Sequence, residues 1–263
     1  MALGLNQALL IGTLVREPDL RYTPAGLAVL RLDLAGDDHL HDEDGTVRAR
    51  PWYHRVTVFG VQAERVVDHV RTGTPLWVEG HLEQRAYETD DGDRRTTLDL
   101  VGRRVEILGL GARDPSDPFA VDARDQPRLR DAVNVVRLIG NLTRDVDVRR
   151  TEQGHALARF AVAVQERGDA ESGPHFVEAQ AWRDLARGCE GLSKGDPVFV
   201  EGRLTTDAWT DGEGRRRFAT RVELLRLERI ERLPRRGDPA PPPAAEAEAG
   251  DGAGDGTGEQ VPF

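Results

Sequence analysis

Residues 5–26 read LNQALLIGTLVREPDLRYTPAG, and residues 133–154 read VNVVRLIGNLTRDVDVRRTEQG. With Asn6 laid on Asn134, twelve of the first 27 positions are identical, among them Gly12 with Gly140, Arg16 with Arg144, Asp19 with Asp147 and Gly26 with Gly154. The likeness resumes further on: Val-Glu-Gly recurs at 78–80 and 200–202, and Gly73 matches Gly195. Two copies are too few for a stacked solenoid, so each must close a core of its own. A chain of 263 residues suits two domains of ordinary size.

Each copy has the same order of elements. Alternating apolar runs at Leu9–Val15, Leu30–Leu34 and Tyr53–Phe59 predict three strands, divided by turn residues such as Glu17-Pro18-Asp19. Val66, Val67 and Val70 then share one helical face, with Gly73 in the place of a C-cap. Two further strands are expected at Leu76–Tyr87 and Arg95–Leu108, joined by a hairpin turn at 90–93. Three strands, one short helix and two strands make the order of the OB-fold, a small five-stranded barrel. The expectation is therefore an all-β chain of two tandem OB-folds, at 1–109 and 131–233. Residues 110–130, with Pro115, Pro118 and Pro127, are expected to be a linker with little regular structure. Residues 234–263 are rich in Pro, Ala, Gly and acid, too poor in apolar side chains to offset chain entropy, so a disordered tail is expected.

The net charge of -10 at first argues against a polyanionic partner, but it is uneven. Residues 1–127 hold 15 Arg against 22 acids, whereas residues 128–234 hold 19 cations against 18 acids. Residues 237–263 add six acids and no base. Lys194 is the sole lysine, and arginine, unlike lysine, both pairs with phosphate and stacks on a base. With Cys189 the only cysteine, neither an internal disulfide nor a thiolate metal cage can form. The sequence shows no leader and no apolar run near the ~20 residues of a membrane span, which points to a soluble, cytoplasmic setting.

The most informative strand is W-Y-H-R-V-T-V-F from Trp52. Alternation sends His54, Val56 and Val58 toward the core and Tyr53, Arg55, Thr57 and Phe59 outward. Two aromatics around an arginine suit single-stranded nucleic acid, since rings stack on bases and guanidinium groups hold phosphates. Packing of the same rings beneath the loop at 37–50 is the competing reading. In the second copy F-V-E-A-Q-A-W sends Phe176, Glu178, Gln180 and Trp182 outward, and Arg55 is replaced by Glu178, so the two copies are expected to hold a strand unequally. At the hairpins Tyr87 corresponds to Trp209 and Arg94-Arg95 to Arg216-Arg217, with Phe218 adjoining.

D-D-H-L-H-D-E-D from Asp37 could ligate a divalent metal through His39 and His41, although the second copy has no histidine there and a solvated loop is the plainer reading. There is no phosphate loop, nucleophile elbow or paired-histidine zinc motif, which lowers the case for an enzyme. No cofactor is expected. A metal-dependent nuclease, and an assembly factor whose OB-folds bind protein or structured RNA, remain as alternatives.

On N-Q-A-L-L-I-G-T-L-V-R-E-P-D-L-R-Y-T-P-A-G from Asn6, W-Y-H-R-V-T-V-F-G from Trp52, W-V-E-G from Trp77 and the closing V-P-F, the chain resembles the bacterial single-stranded DNA-binding proteins. It is similar to the type with two OB-folds per chain that forms dimers. The resemblance implies base-stacking roles for Tyr53, Phe59, Tyr87, Phe176, Trp182 and Trp209, and basic contacts at Arg55, Arg71, Arg95, Lys194 and Arg217. It also implies that His54 lies at a subunit contact, and that Val261, Pro262 and Phe263 recruit replication, recombination and repair proteins.

Overall fold

The structure, a computed structural model, describes residues 4–41, 45–88, 94–109, 119–121, 126–165, 173–210, 212 and 214–230. The expected tail, with Val261, Pro262 and Phe263, lies outside the described residues.

The first barrel is built from β1 (Leu5–Leu14), β2 (Asp19–Tyr22), β3 (Ala28–His41), β4 (Val47–Phe59), α1 (Gly60–Val67), β5 (Pro75–Glu88) and β6 (Arg94–Ile107). Its strands run in the order β1-β5-β6-β4-β3, and β3 closes back on β1; β2 forms a hairpin with β3. All these pairings are antiparallel except β4 with β6, which lie parallel. Two short strands follow, β7 (Phe119–Val121) and β8 (Pro127–Leu129). The second barrel repeats the plan with β9 (Val133–Leu142), β10 (Asp147–Arg150), β11 (Ala156–Val164), β12 (His175–Trp182), α2 (Arg183–Arg187), β13 (Pro197–Thr210) and β14 (Arg216–Arg229). This strand order, closure and single parallel contact are those of the OB-fold.

The repeated glycine of LIG marks the closure. At Gly12 a Cβ would come within 2.8 Å of the Ala35 carbonyl oxygen, and at Gly140 one would collide with the equivalent oxygen of Ala163. Only a residue without a side chain lets β1 reach β3, or β9 reach β11. The repeated Val-Glu-Gly has a different cause. Each strand register slips by one at that glycine, between Glu79 and Gly80 and between Glu201 and Gly202. Beyond the bulge a side chain takes over from the β1–β5 ladder: the Asn6 amide donates to the Leu82 carbonyl at 2.8 Å and accepts from the Leu82 N–H at 2.9 Å. Asn134 does the same to Leu204 in the second copy.

Leu10, Leu30, Leu32, Leu34, Val56, Val58 and Val78 fill the first core, and Leu138, Phe160, Val162, Val177, Val198 and Val200 the second. Each such side chain contributes on the order of 1.5–3 kcal/mol by leaving water. The barrels are fused by an antiparallel ladder between β1 and β9, from Leu5 opposite Ile139 to Ile11 opposite Val133.

Three expectations are corrected. The helix ends at Val67 with Asp68 as its cap, so Val70 reaches the core from the following turn; Gly73, at φ 91°, donates its N–H to the Leu14 carbonyl and does not cap a helix. The interval 110–130 contains β7 and β8, because the long edge of β3 offers a partner: Leu129 lies parallel to Gly36 and is buried. Gln180 is buried, where alternation alone pointed it outward.

Candidate nucleic-acid interface

A groove of about 930 Å³ runs across β3, β4, β5 and β6 of the first barrel and is walled on one side by the β13–β14 hairpin of the second. Tyr53 and Arg55 rise into it from β4, Phe218 enters from β14, and Gln126 of the preceding linker completes the rim. Tyr53 is 42% exposed and Phe218 62%, and both rings line the groove.

The groove's arginines are paired with carboxylates. Arg55 grips Asp33 with two parallel bonds, Nε to Oδ1 at 2.7 Å and Nη2 to Oδ2 at 3.1 Å, and this pairing raises the Arg55 pKa above its usual value. Arg16 approaches the same carboxylate at 3.8 Å, Arg31 faces Asp19 at 4.0 Å, and Arg85 faces Asp99 at 3.7 Å. The second barrel reverses the last pair: Asp207 stands where Arg85 does, and Arg221 bonds it at 2.6 Å from the position of Asp99. Glu178, which replaces Arg55, lies opposite Ala161 in the position of Asp33. The first copy thus balances its charge at this point, whereas the second presents a carboxylate.

The other predicted site residues are dispersed. Phe59 and Trp182 occupy equivalent N-cap positions of α1 and α2, both in extended backbone and both half-buried. Phe176 and Trp209 are exposed on the second barrel. Arg71 and Lys194 are exposed in the loops that follow the helices, and the Lys194 N–H is held by Asp145 at 2.8 Å. The backbone register sets Tyr87 opposite Arg95 and Trp209 opposite Arg217. The side chains of Tyr87, Arg94, Arg95, Arg216 and Arg217 lie outside the described residues. His39 approaches Asp131 at 3.3 Å, His41's side chain lies outside the described residues, and no group of three metal-ligating side chains occurs among the described residues. Among those residues no helix is long and apolar enough to cross a membrane.

His54 faces inward, as alternation requires, and its role is between the barrels. It is 7% exposed, stacks on Trp52, and donates from Nε2 to the Leu204 carbonyl of the second barrel at 3.1 Å. That carbonyl also accepts from Asn134, so it is shared by both barrels. Burial lowers the His54 pKa to about 4, with the Leu204 bond opposing, and the imidazole is neutral at pH 7. A second cross-barrel cluster joins Asp38 and Arg50 to Arg203 and Glu223. Burial pushes the Asp38 pKa up; it acts on Glu223 in the same sense, but Arg203 and Arg50 hold that carboxyl below its usual value. Apart from His54, these inter-barrel groups escaped the sequence reading, because no periodicity in one copy signals a partner in the other.

The sequence model of the Single-strand binding protein family matches twice, over residues 5–108 and 133–230. The chain is 49% identical over 248 residues to the single-stranded DNA-binding protein of Thermus aquaticus, covering 94% of this chain and 92% of that protein. It is 52% identical over 235 residues to that of Thermus thermophilus, covering 89% and 88%. The crystal structure of the wild-type single-stranded DNA-binding protein from Thermus aquaticus superposes with a TM-score of 0.71 at 44% identity, over 90% of this chain and 98% of that one. With two matched segments that coincide with two closed barrels, the chain belongs to the single-strand binding protein family.

Proposed function

We propose that this protein binds and protects single-stranded DNA, without sequence preference and without bond chemistry, during replication, recombination and repair. The observation that carries this reading is the groove in which Tyr53, Arg55 and Phe218 converge, an aromatic platform beside paired arginines. Bases stack on rings for ~1–3 kcal/mol each, indifferent to sequence because every base has a π-face. Phe59, Phe176, Trp182 and Trp209 would offer further stacking surfaces outside the groove, and Tyr87 with Arg94, Arg95, Arg216 and Arg217 would do so along the hairpins. Arg71 and Lys194 add charge at the loop rim.

Each barrel domain would occupy roughly 4–16 nucleotides, so a homodimer of four barrels would cover tens. Support for a homodimer comes from the outer face of the fused sheet, where Leu9, Ile11, Trp77, Val133, Val135 and Phe199 lie half-buried on adjacent strands. The tip Val261-Pro262-Phe263 recruits partner enzymes in this reading, with Phe263 filling an apolar pocket, and the setting is the cytoplasmic nucleoid.

Titration of tryptophan fluorescence with oligo-dT over a salt series tests the proposal. Quenching and a log-log slope of about -0.7 per phosphate contacted are expected. A slope near zero, or equal affinity for duplex DNA, overturns it.

A further inference from the structure

The linker strand β8 reaches the groove through one side chain. Arg128 donates from Nη1 to the Tyr53 hydroxyl at 3.2 Å and from Nε to Asp37 Oδ1 at 3.0 Å. Asp37 is 3% exposed, and the Arg128 side chain itself is largely covered. A guanidinium tied to a buried carboxylate is a poor phosphate ligand: to follow a backbone phosphate it would have to abandon the buried Asp37 side chain, which is strongly unfavourable. It is a good fixed support. The strand that carries it is itself fixed, by the pairing of Leu129 with Gly36 and by burial of Leu129.

Tyr53 is therefore held at both ends. Its backbone sits in β4 opposite Ala35, its hydroxyl is held by the linker, and the ring between remains open to the groove. A ring whose torsions are set before a base arrives loses less freedom on binding. Phe176, its counterpart in the second copy, has no hydroxyl and cannot be held this way.

We infer that Arg128 is a positioning residue for Tyr53, so that the linker between the barrels is a working part of the first barrel's binding face. This rests on the stacking role of Tyr53 proposed above. The test uses the full chain with Tyr53→Ala, Tyr53→Phe, Arg128→Met and the Tyr53→Phe/Arg128→Met double variant, each titrated with oligo-dT across salt. Tyr53→Ala should weaken binding about tenfold or more. Tyr53→Phe and Arg128→Met should each weaken it roughly two- to tenfold, and the double variant no further than the worse single, since each removes the same bond. The salt slope should stay at the wild-type value in all four.

Multiplying effects in the double variant overturn the inference, and so does a slope reduced by about 0.7 in Arg128→Met, which would make Arg128 a phosphate ligand. Tyr53→Phe retains the barrel core, so a null result there, beside a clear loss in Tyr53→Ala, refutes the positioning role while leaving stacking intact. No loss in Tyr53→Ala refutes the stacking role first and this inference with it.

Discussion

Ala8 lies directly opposite Val136 in the ladder that joins the barrels, and each is the other's counterpart in the repeat. The pseudo-two-fold axis of the chain therefore passes between these two residues, both fully buried. The cross-barrel contacts then fall in matched places around it. They are not matched in chemistry: His54 of the first copy bonds Leu204, whereas Val177, its counterpart, has no group with which to bond Leu82.

That asymmetry gives a pH dependence. The folded His54 pKa of about 4 lies below the ~6.5 of an unfolded histidine, so the unfolded chain takes up the proton first as pH falls. Stability should be unaffected above about pH 6.5, fall between about 6.5 and 4, and level off for this group below that, with a total loss of about 3 kcal/mol. Urea midpoints measured from pH 7.5 to 4 should drop less in His54→Val than in the wild type. Parallel curves would refute the assignment.

The bulge glycines should be intolerant. At Gly202 a Cβ would strike the Glu223 carbonyl, and at Gly80 the Val101 carbonyl. Gly202→Ala and Gly80→Ala should each cost about 2 kcal/mol or more, read as a lowered denaturation midpoint, because backbone cannot yield as a flexible side chain does. Gly26→Ala, in open space although at φ 80°, should cost less than either.

Asp33 restrains the groove. Asp33→Ala, the residue the second copy carries in that position, should free Arg55 for phosphate and tighten oligo-dT binding several-fold. The salt slope should steepen by about 0.7. Unchanged affinity and slope would mean that Arg55 already meets DNA while paired, or never meets it; Arg55→Ala separates those two cases.

Arg203, itself buried, neutralises two half-buried carboxylates, Glu223 directly and Asp38 at 3.6 Å. Arg203→Met should destabilise by roughly 3 kcal/mol, at the low end for a broken buried pair because Arg50 still serves Glu223 from a more exposed position. Adding Asp38→Asn should recover part of the loss. A single variant as stable as the wild type would show that water replaces the guanidinium.

Much of each barrel was legible in one strand's alternation and in the repeat. Tyr53 and Arg55 come out and His54 and Val56 go in because β4 has one wet face, and period-two reading finds such strands. Gln180 is the exception, since burial of a sheet's outer face depends on what lies over it and not on alternation within the strand. The proline-rich linker misled composition, because what forms β8 is the unpaired length of β3, located far away in sequence. Within the site the aromatics were legible as types. That Phe218 of one copy would share a groove with Tyr53 of the other was not, because it depends on how the copies join.

The continuous β6-β5-β1-β9-β13-β14 sheet also governs how the two barrels can cooperate. A strand of DNA seated on Tyr53, as proposed, would meet Phe218 across a separation set by a backbone ladder and not by a tether. The second contact is then governed by a fixed local concentration, with no hinge entropy to lose and no slack to take up. Communication between the halves of one chain would be geometric, and any adaptation to the path of the DNA must come from the polynucleotide.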